Sequence, residues 1–115
     1  MQSLILPEPS LVVLLGASGS GKSSFAAKHF APTEVVSSDR MRALICDDEN
    51  DQGVSADAFE MVHRLADMRL AHARMTVIDA TSLEPRARQP LRKIAKRQHL
   101  PIVIVALDVS LETLL

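Results

Sequence analysis

A segment of glycines and small polar residues that ends in a lysine and a serine has the composition of a phosphate-binding loop. Residues Gly16–Ser23 read Gly-Ala-Ser-Gly-Ser-Gly-Lys-Ser and fit the pattern G-x-x-x-x-G-K-[ST]. In such a loop the glycines let the main chain approach a phosphate closely, and the backbone N–H groups form a concave anion site. We expect Lys22 to bridge the β- and γ-phosphates of a nucleoside triphosphate and the Ser23 hydroxyl to bind Mg²⁺.

The predicted phosphate contacts extend one residue beyond the motif. They are Gly16, Ser18, Gly19, Ser20, Gly21, Lys22, Ser23 and Ser24. A glycine-rich turn without a ligand is the alternative, but the apolar run Leu11–Leu15 precedes the loop and a helical pattern follows it. This order of strand, loop and helix places the phosphates at the positive end of a helix. The sequence therefore predicts ATP or another nucleoside triphosphate, with Mg²⁺, as cofactor.

Two aspartates follow strand-like runs, and both should project toward the phosphate loop. Asp39 follows Glu34–Ser38 and Asp79 closes the run that begins at Thr76. In open α/β sheets, ligands bind beyond the carboxyl ends of the strands. Phosphoryl transfer needs one carboxylate to take the proton of the acceptor hydroxyl and another near Mg²⁺. Asp39 suits the first role and Asp79 the second, although Asp39 could instead simply cap the helix that follows it.

A cation stands one helical turn beyond Asp39. Arg42 is three residues further on, so a helix places both side chains on one face. An acceptor with a phosphate next to its hydroxyl would suit this pair. Arg40 could supply the cation instead, but on a helix it points elsewhere.

Strand and helix patterns alternate along the chain. The strand candidates are Leu11–Leu15, Glu34–Ser38, Thr76–Ala80 and Ile102–Leu107. The helix candidates are 22–30, 39–46, the segment after Ser55, 84–98 interrupted by Pro90, and 111–115. This alternation predicts an α/β domain of the P-loop NTPase type, with a parallel sheet and flanking helices. We expect one nucleotide-binding kinase domain over residues 1–115, incomplete at the C-terminus because no C-cap glycine or polar tail follows the last pattern.

Composition narrows the class of protein. The 115 residues carry a formal net charge of −1, so a site for a polyanion must be local. The single cysteine, Cys46, cannot form an intramolecular disulfide, which fits a reducing compartment. The apolar runs are too short to span a bilayer. These features predict a cytoplasmic protein with no membrane partner.

With these residues identified, the chain resembles the kinase module of the bacterial polynucleotide kinase-phosphatases, which are RNA end-healing enzymes. Four segments carry the resemblance: Gly16–Ala26, Pro32–Asp39, Asp47–Gln52 and Thr76–Thr81. Many families share the phosphate loop, whereas the Ser-Ser-Asp and Asp-Asp-Glu-Asn-Asp-Gln motifs are much more specific. The resemblance implies transfer of the γ-phosphate of a nucleoside triphosphate to a 5′-hydroxyl end of RNA or DNA.

The same resemblance assigns roles to individual residues. By position, Asp39 would be the general base and Arg42 would hold the phosphate on the 3′ side of the acceptor. Gln52 would lie near the acceptor nucleoside, and Asp79 would stand on the Mg²⁺ side. In the family, a lid with arginines and a further strand follow the strand that matches Ile102–Leu107, and phosphatase and ligase-like modules follow these. Here we expect such modules on a longer or separate chain.

Two other function classes stay open at this point. A small-molecule kinase of the same fold would use a mononucleoside or a sugar as well as an oligonucleotide. An ATP-binding domain without turnover of its own would bind nucleotide and transfer nothing until a lid is supplied. Simple hydrolysis of the triphosphate by water is also open.

Overall fold

A computed structural model describes residues 5–16, 21–80 and 85–107 of the chain. The strands are β1 (Leu11–Leu15), β2 (Val35–Ser37), β3 (Thr76–Asp79) and β4 (Ile102–Ala106). The α-helices are α1 (Lys22–His29), α2 (Ser38–Cys46), α3 (Ser55–Ala71) and α4 (Gln89–Arg97). Short 3₁₀ helices occupy Pro32–Glu34, Gln52–Val54 and Pro85–Arg88. The predicted alternation is confirmed, with α2 and α3 as one pair of consecutive helices.

The described strands form one parallel sheet in the order β2-β3-β1-β4. In the register of this sheet, Asp79 at the end of β3 lies opposite Leu14 of β1 and opposite Ser37 of β2. Because the strands are parallel, their carboxyl ends meet at one edge. The end of β1, the start of α2 and Asp79 therefore share this edge, as the sequence predicts.

Helices cover both faces of the sheet. Alternate side chains of a strand point to opposite faces, and Leu11 to Leu14 of β1 are all fully buried. On one face β1 packs with residues of α2, α3 and α4. On the other face it packs with Ala26 and the partly buried Phe25 of α1. The interpretation of Leu11–Leu15 as a strand buried on both faces is confirmed.

The longest helix, α3, is fixed by one apolar stripe and one polar clamp. Small and medium apolar residues recur every four positions and are buried against the sheet: Ala58, Val62, Ala66 and Leu70. On a neighbouring face, Asp67 Oδ1 accepts a hydrogen bond from Gln98 Nε2 at 2.8 Å, and Asp67 Oδ2 lies 2.9 Å from Arg97 Nη2. We call Asp67, Arg97 and Gln98 the clamp, which joins α3 to the end of α4.

Local differences from the predicted boundaries are small. Pro90 stands at the second position of α4, where a missing N–H costs no helical hydrogen bond. The residues before it form a 3₁₀ turn instead of continuous helix. The helix predicted over 111–115 lies outside the described residues. No helix in the described part of the chain is long and apolar enough to cross a membrane.

Candidate active site

The phosphate loop passes into α1 through a left-handed glycine. Gly21 has φ 92° and ψ 11°, a conformation that strains residues with a side chain. The Gly21 carbonyl accepts a hydrogen bond from Phe25 N at 2.8 Å, which closes the first turn of α1. Gly16 follows β1 directly, and Ser24 is exposed in the first turn of α1. The predicted contacts Ser18, Gly19 and Ser20 lie outside the described residues.

The first two residues of α1 meet the end of β3. Lys22 Nζ lies 3.6 Å from Asp79 Oδ1, and Ser23 Oγ donates to Asp79 Oδ2 at 3.3 Å. The side chains of Lys22 and Asp79 are only 7% and 11% exposed. The structure thus brings together the three side chains predicted for the phosphates and Mg²⁺. We call Lys22, Ser23 and Asp79 the donor cluster.

The donor cluster has the oxygen ligands that Mg²⁺ prefers. This cation is usually held by one or two carboxylates together with substrate phosphates and water, and seldom by a cage of protein ligands. The hydroxyl of Ser23 and the carboxylate of Asp79 supply such oxygens. The described residues contain no group of three or more His, Cys, Asp or Glu that could hold a metal ion. The residues present therefore fit Mg²⁺ bound jointly with a nucleotide.

Asp39 stands in the first turn of α2 and is free of the capping role. Ser37 is the N-cap residue, because its Oγ accepts a hydrogen bond from Arg40 N at 3.3 Å. The alternative that Asp39 caps the helix is therefore wrong; β2 ends one residue earlier than predicted, and the cap moves with it. The Asp39 side chain is 53% exposed. A carboxylate at this place can reach a ligand.

Arg42 is buried and bound to Asp39. Its Nη2 contacts Asp39 Oδ1, and its Nε donates to the carbonyl oxygen of Glu49 at 2.7 Å. The guanidinium side chain is 9% exposed, in contrast to the open carboxylate of Asp39. The structure thus confirms that the two residues share a face of α2. We call Asp39 and Arg42 the acceptor pair.

The acidic loop after α2 is folded by its own side chains. Asp48 Oδ1 accepts from Asn50 N at 3.0 Å, and Asp51 Oδ1 accepts from Gly53 N at 2.8 Å. Gln52 is exposed, and its Oε1 accepts a hydrogen bond from Ser55 Oγ at 3.2 Å. The contact between Arg42 and the Glu49 carbonyl ties this loop to α2. The described contacts of Gln52 are therefore within its own loop and the start of α3.

One residue that sequence reasoning set aside belongs to this edge. Arg40 lines a cavity of about 320 Å³ together with Ser23 and Asp79. Helical spacing correctly separates Arg40 from Arg42, but it cannot say what lies on the other side of α2. The order of β2 next to β3 decides that, and nothing in the local sequence gives this order.

A larger cavity, about 520 Å³, lies at the opposite edge of the sheet. Glu34, Arg69 and Met75 are among its lining residues. Met75 directly precedes β3, so this cavity is near the amino ends of the strands. Ligands of open parallel sheets bind beyond the carboxyl ends. The smaller cavity, at the donor cluster, is therefore the one that lies where such sheets bind their ligands.

Comparison with known proteins agrees with this fold. Residues 11–115 match a protein family described as AAA domain. A solved structure of a Pnkp1/Rnl/Hen1 complex contains a chain that is 27% identical, with a TM-score of 0.75, and the match covers 98% of this chain and 40% of that one. A second structure, of a candidate kinase from Chloroflexus aurantiacus J-10-fl, is 14% identical with a TM-score of 0.71, over 88% and 59% of the two chains. No curated protein matches.

The two solved structures share the fold of this chain, and both are longer than it. The chain spans less than two thirds of each of these two solved chains. At 14% identity the second likeness shows the fold alone. Together the matches confirm the predicted P-loop fold and the resemblance to a polynucleotide kinase module.

Proposed function

We propose that this chain, which belongs to the AAA domain family, transfers the γ-phosphate of ATP to the 5′-hydroxyl end of a polynucleotide. Family membership supports a nucleotide-dependent phosphotransferase. The single observation that carries the proposal is that the donor cluster and the acceptor pair stand at one sheet edge, joined by the register of Ser37 with Asp79.

On the donor side, the start of α1 binds the nucleotide. Lys22 bridges the β- and γ-phosphates, and the N–H groups of the loop from Gly16 to Ser24 surround them. Ser23 and Asp79 would hold Mg²⁺ together with the phosphates of the nucleotide. When bound, Mg²⁺ neutralises charge that develops on the transferred group. The contacts of Lys22 and Ser23 to Asp79 are long, at 3.6 and 3.3 Å, so a ligand oxygen can replace them at small cost.

On the acceptor side, Asp39 removes the proton from the 5′-hydroxyl. The acceptor oxygen forms a bond to the γ-phosphorus, the bond from this phosphorus to the β–γ bridging oxygen breaks, and ADP leaves. Arg42 orients the base by holding Asp39 Oδ1, which leaves Oδ2 to receive the proton. The remaining N–H groups of Arg42 stay the predicted contact for the 3′-side phosphate, and Gln52 stays the predicted neighbour of the acceptor nucleoside.

The wider setting of the domain is part of the proposal. The relative in the Pnkp1/Rnl/Hen1 complex is a much longer chain, of which the match covers 40%. We therefore place residues 1–115 as one kinase domain that works with phosphatase and ligase modules on a longer or separate chain. A reducing, cytoplasmic compartment accords with the half-buried free thiol of Cys46.

A comparison of acceptors tests the class of substrate. ATP labelled in its γ-phosphate is offered with Mg²⁺ to a 5′-hydroxyl oligonucleotide, to a mononucleoside and to a sugar at equal concentrations. A reaction without added acceptor measures transfer to water. We expect the oligonucleotide to accept label far faster than the other three. Equal use of the mononucleoside or the sugar would replace the proposal with a small-molecule kinase. Release of labelled phosphate without transfer would replace it with a triphosphatase.

A further inference from the structure

A cavity between α1 and β2 borders the donor cluster. Its volume is about 320 Å³, within the lower range of ligand sites in proteins. Ser23 and Asp79, which belong to the donor cluster, form part of its wall, and Ser37 and Arg40 at the start of α2 form another part. A molecule in this cavity would therefore be in reach of the reacting groups.

The remainder of the wall is apolar. Ala26 is buried in α1, Phe30 and Val35 are half-buried, and Ala27 is exposed at the rim. Apolar walls with a few polar groups at one end are typical of sites that take a flat or apolar part of a ligand and orient it by its polar part. A nucleobase attached to a sugar and a phosphate has this distribution of polarity.

Arg40 is the accessible cation of this cavity. It is exposed and forms no ion pair among the described residues, whereas Arg42 is buried against Asp39 and Glu49. Two residues apart on a helix, the two side chains diverge by about 200°. Arg40 also lies in the first turn of α2, where the helix dipole favours an anion. Its side chain is therefore placed to bind a phosphate group.

The position of the cavity selects which substrate occupies it. The nucleotide donor is held at the loop before α1, by its phosphates. The cavity extends from the donor cluster, at Ser23 and Asp79, to the start of α2, the helix that also carries Asp39, the proposed base. A ligand group that lies between the donor cluster and the start of α2 suits the molecule that receives the phosphate, which is the acceptor.

We propose that this cavity is an acceptor subsite, in which the apolar wall receives the 5′-terminal nucleobase of a single strand and Arg40 binds a backbone phosphate of the same strand. The inference rests on the proposed function, since it names the acceptor as a polynucleotide. It adds a cation other than Arg42 to the acceptor side and a place for the base. The contact to the base through apolar walls predicts little preference among the four nucleobases.

Equilibrium binding of a fluorescent 5′-hydroxyl oligonucleotide tests this subsite, with ATP affinity and phosphate transfer measured on the same samples. Arg40→Ala should weaken oligonucleotide binding about tenfold, the usual loss for one charge-assisted hydrogen bond. It should also reduce the slope of log affinity against log salt by about 0.7. Arg40→Lys should restore most of both. Ala27→Leu, which fills the cavity from an exposed position of α1, should weaken binding about tenfold without a salt effect.

Arg64→Ala is the matched control, because Arg64 is an exposed helical arginine on the other face of the sheet. It should change neither binding nor salt slope, and ATP affinity should stay constant in every variant. Parent-like oligonucleotide binding in both Arg40→Ala and Ala27→Leu would overturn the subsite while the kinase proposal stands. A parent that binds the oligonucleotide but transfers no phosphate would count against the kinase, and the comparison of variants would still decide the subsite. A parent that binds no oligonucleotide would overturn both.

Discussion

The donor cluster and the acceptor pair each place a carboxylate at the same edge of the sheet, but the two carboxylates differ in exposure and in the contacts that hold them. Asp79 is nearly buried and makes long contacts to residues more than fifty positions earlier in the chain. Asp39 is half-exposed and contacts Arg42 within one helical turn. In the first region the protein supplies a recessed carboxylate with loosely engaged partners. In the second it supplies a half-exposed carboxylate that an arginine of the same helix holds.

This difference matches the two tasks of phosphoryl transfer. A group that holds Mg²⁺ must exchange its protein contacts for contacts to metal and phosphate, so weak contacts are an advantage. A general base must keep one orientation and stay open to the hydroxyl, so one oxygen is held and the other is left free. Mutations that affect only one region should therefore separate nucleotide and metal binding from transfer.

The largest effect on phosphate transfer is expected from a substitution of Asp39. Asp39→Asn keeps an oxygen for Arg42 to bind but removes the proposed base, so the transfer rate should fall by about 10²–10⁴-fold. ATP affinity and the Mg²⁺ concentration needed for half-maximal rate should not change. Single-turnover transfer measures the rate and its dependence on Mg²⁺, and equilibrium ATP binding measures the affinity. Asp57→Asn, in the first turn of α3, is the matched control and should behave as the parent. Transfer at the parental rate in Asp39→Asn would remove Asp39 as the base.

Asp79 should show the complementary pattern. Asp79→Asn removes the carboxylate that accepts the hydrogen bond from Ser23 Oγ. Loss of a partner that orients a metal ligand usually costs about 10–100-fold in metal affinity or activity. We expect the half-maximal Mg²⁺ concentration to rise and saturating Mg²⁺ to restore most of the rate. A titration of rate against Mg²⁺ measures this. An unchanged titration curve would show that Asp79 has no part in metal binding.

Arg42 should matter for stability as well as for transfer. Arg42→Ala removes the hydrogen bond to the Glu49 carbonyl and the ion pair with Asp39, and we expect a loss of about 2 kcal/mol in the free energy of unfolding. Arg42→Lys keeps the charge but not both contacts and should lose about half as much. Urea unfolding measures both. If Arg42→Ala unfolds at the parental midpoint, the arginine does not hold Asp39 in solution.

The smallest effect is expected at a clamp outside both regions. The hydrogen bond from Gln98, and then that from Arg97, hold the pKa of Asp67 below its usual range. A carboxylate with a lowered folded-state pKa stabilises the fold above its unfolded pKa, near 3.9, and this contribution is lost as pH falls through the folded-state pKa. Asp67→Asn should therefore cost about 0.5–1 kcal/mol at pH 7, because the site is partly exposed.

The same measurement at acid pH completes this prediction. Below the folded-state pKa of Asp67, the parent and Asp67→Asn should converge in stability, and transfer activity at pH 7 should be equal throughout. A difference in stability that does not shrink as the pH falls would contradict the role of the ionised carboxylate.

Local patterns predict the donor cluster and the acceptor pair well, because each rests on a short-range rule. The glycine and lysine spacing fixed the start of α1, and three-residue spacing placed Asp39 and Arg42 on one face of α2. The sequence leaves open whether Asp39 caps α2, because three polar residues in succession leave the end of β2 uncertain by one position. The structure gives the cap to Ser37. The local sequence offers Arg40 only as an alternative cation, for a different reason. Which side of α2 faces a cavity depends on the pairing of β2 with β3, and packing between distant segments decides that pairing.

Whether this chain is a 5′-hydroxyl kinase is decided by transfer of labelled γ-phosphate from ATP, with Mg²⁺, to an oligonucleotide with a 5′-hydroxyl, beside the same oligonucleotide with a 5′-phosphate. We predict label on the hydroxyl end alone, with transfer lost in Asp39→Asn although ATP still binds. ATP binding by the parent with no label on either oligonucleotide would contradict it, and would leave this chain as a nucleotide-binding domain without turnover of its own.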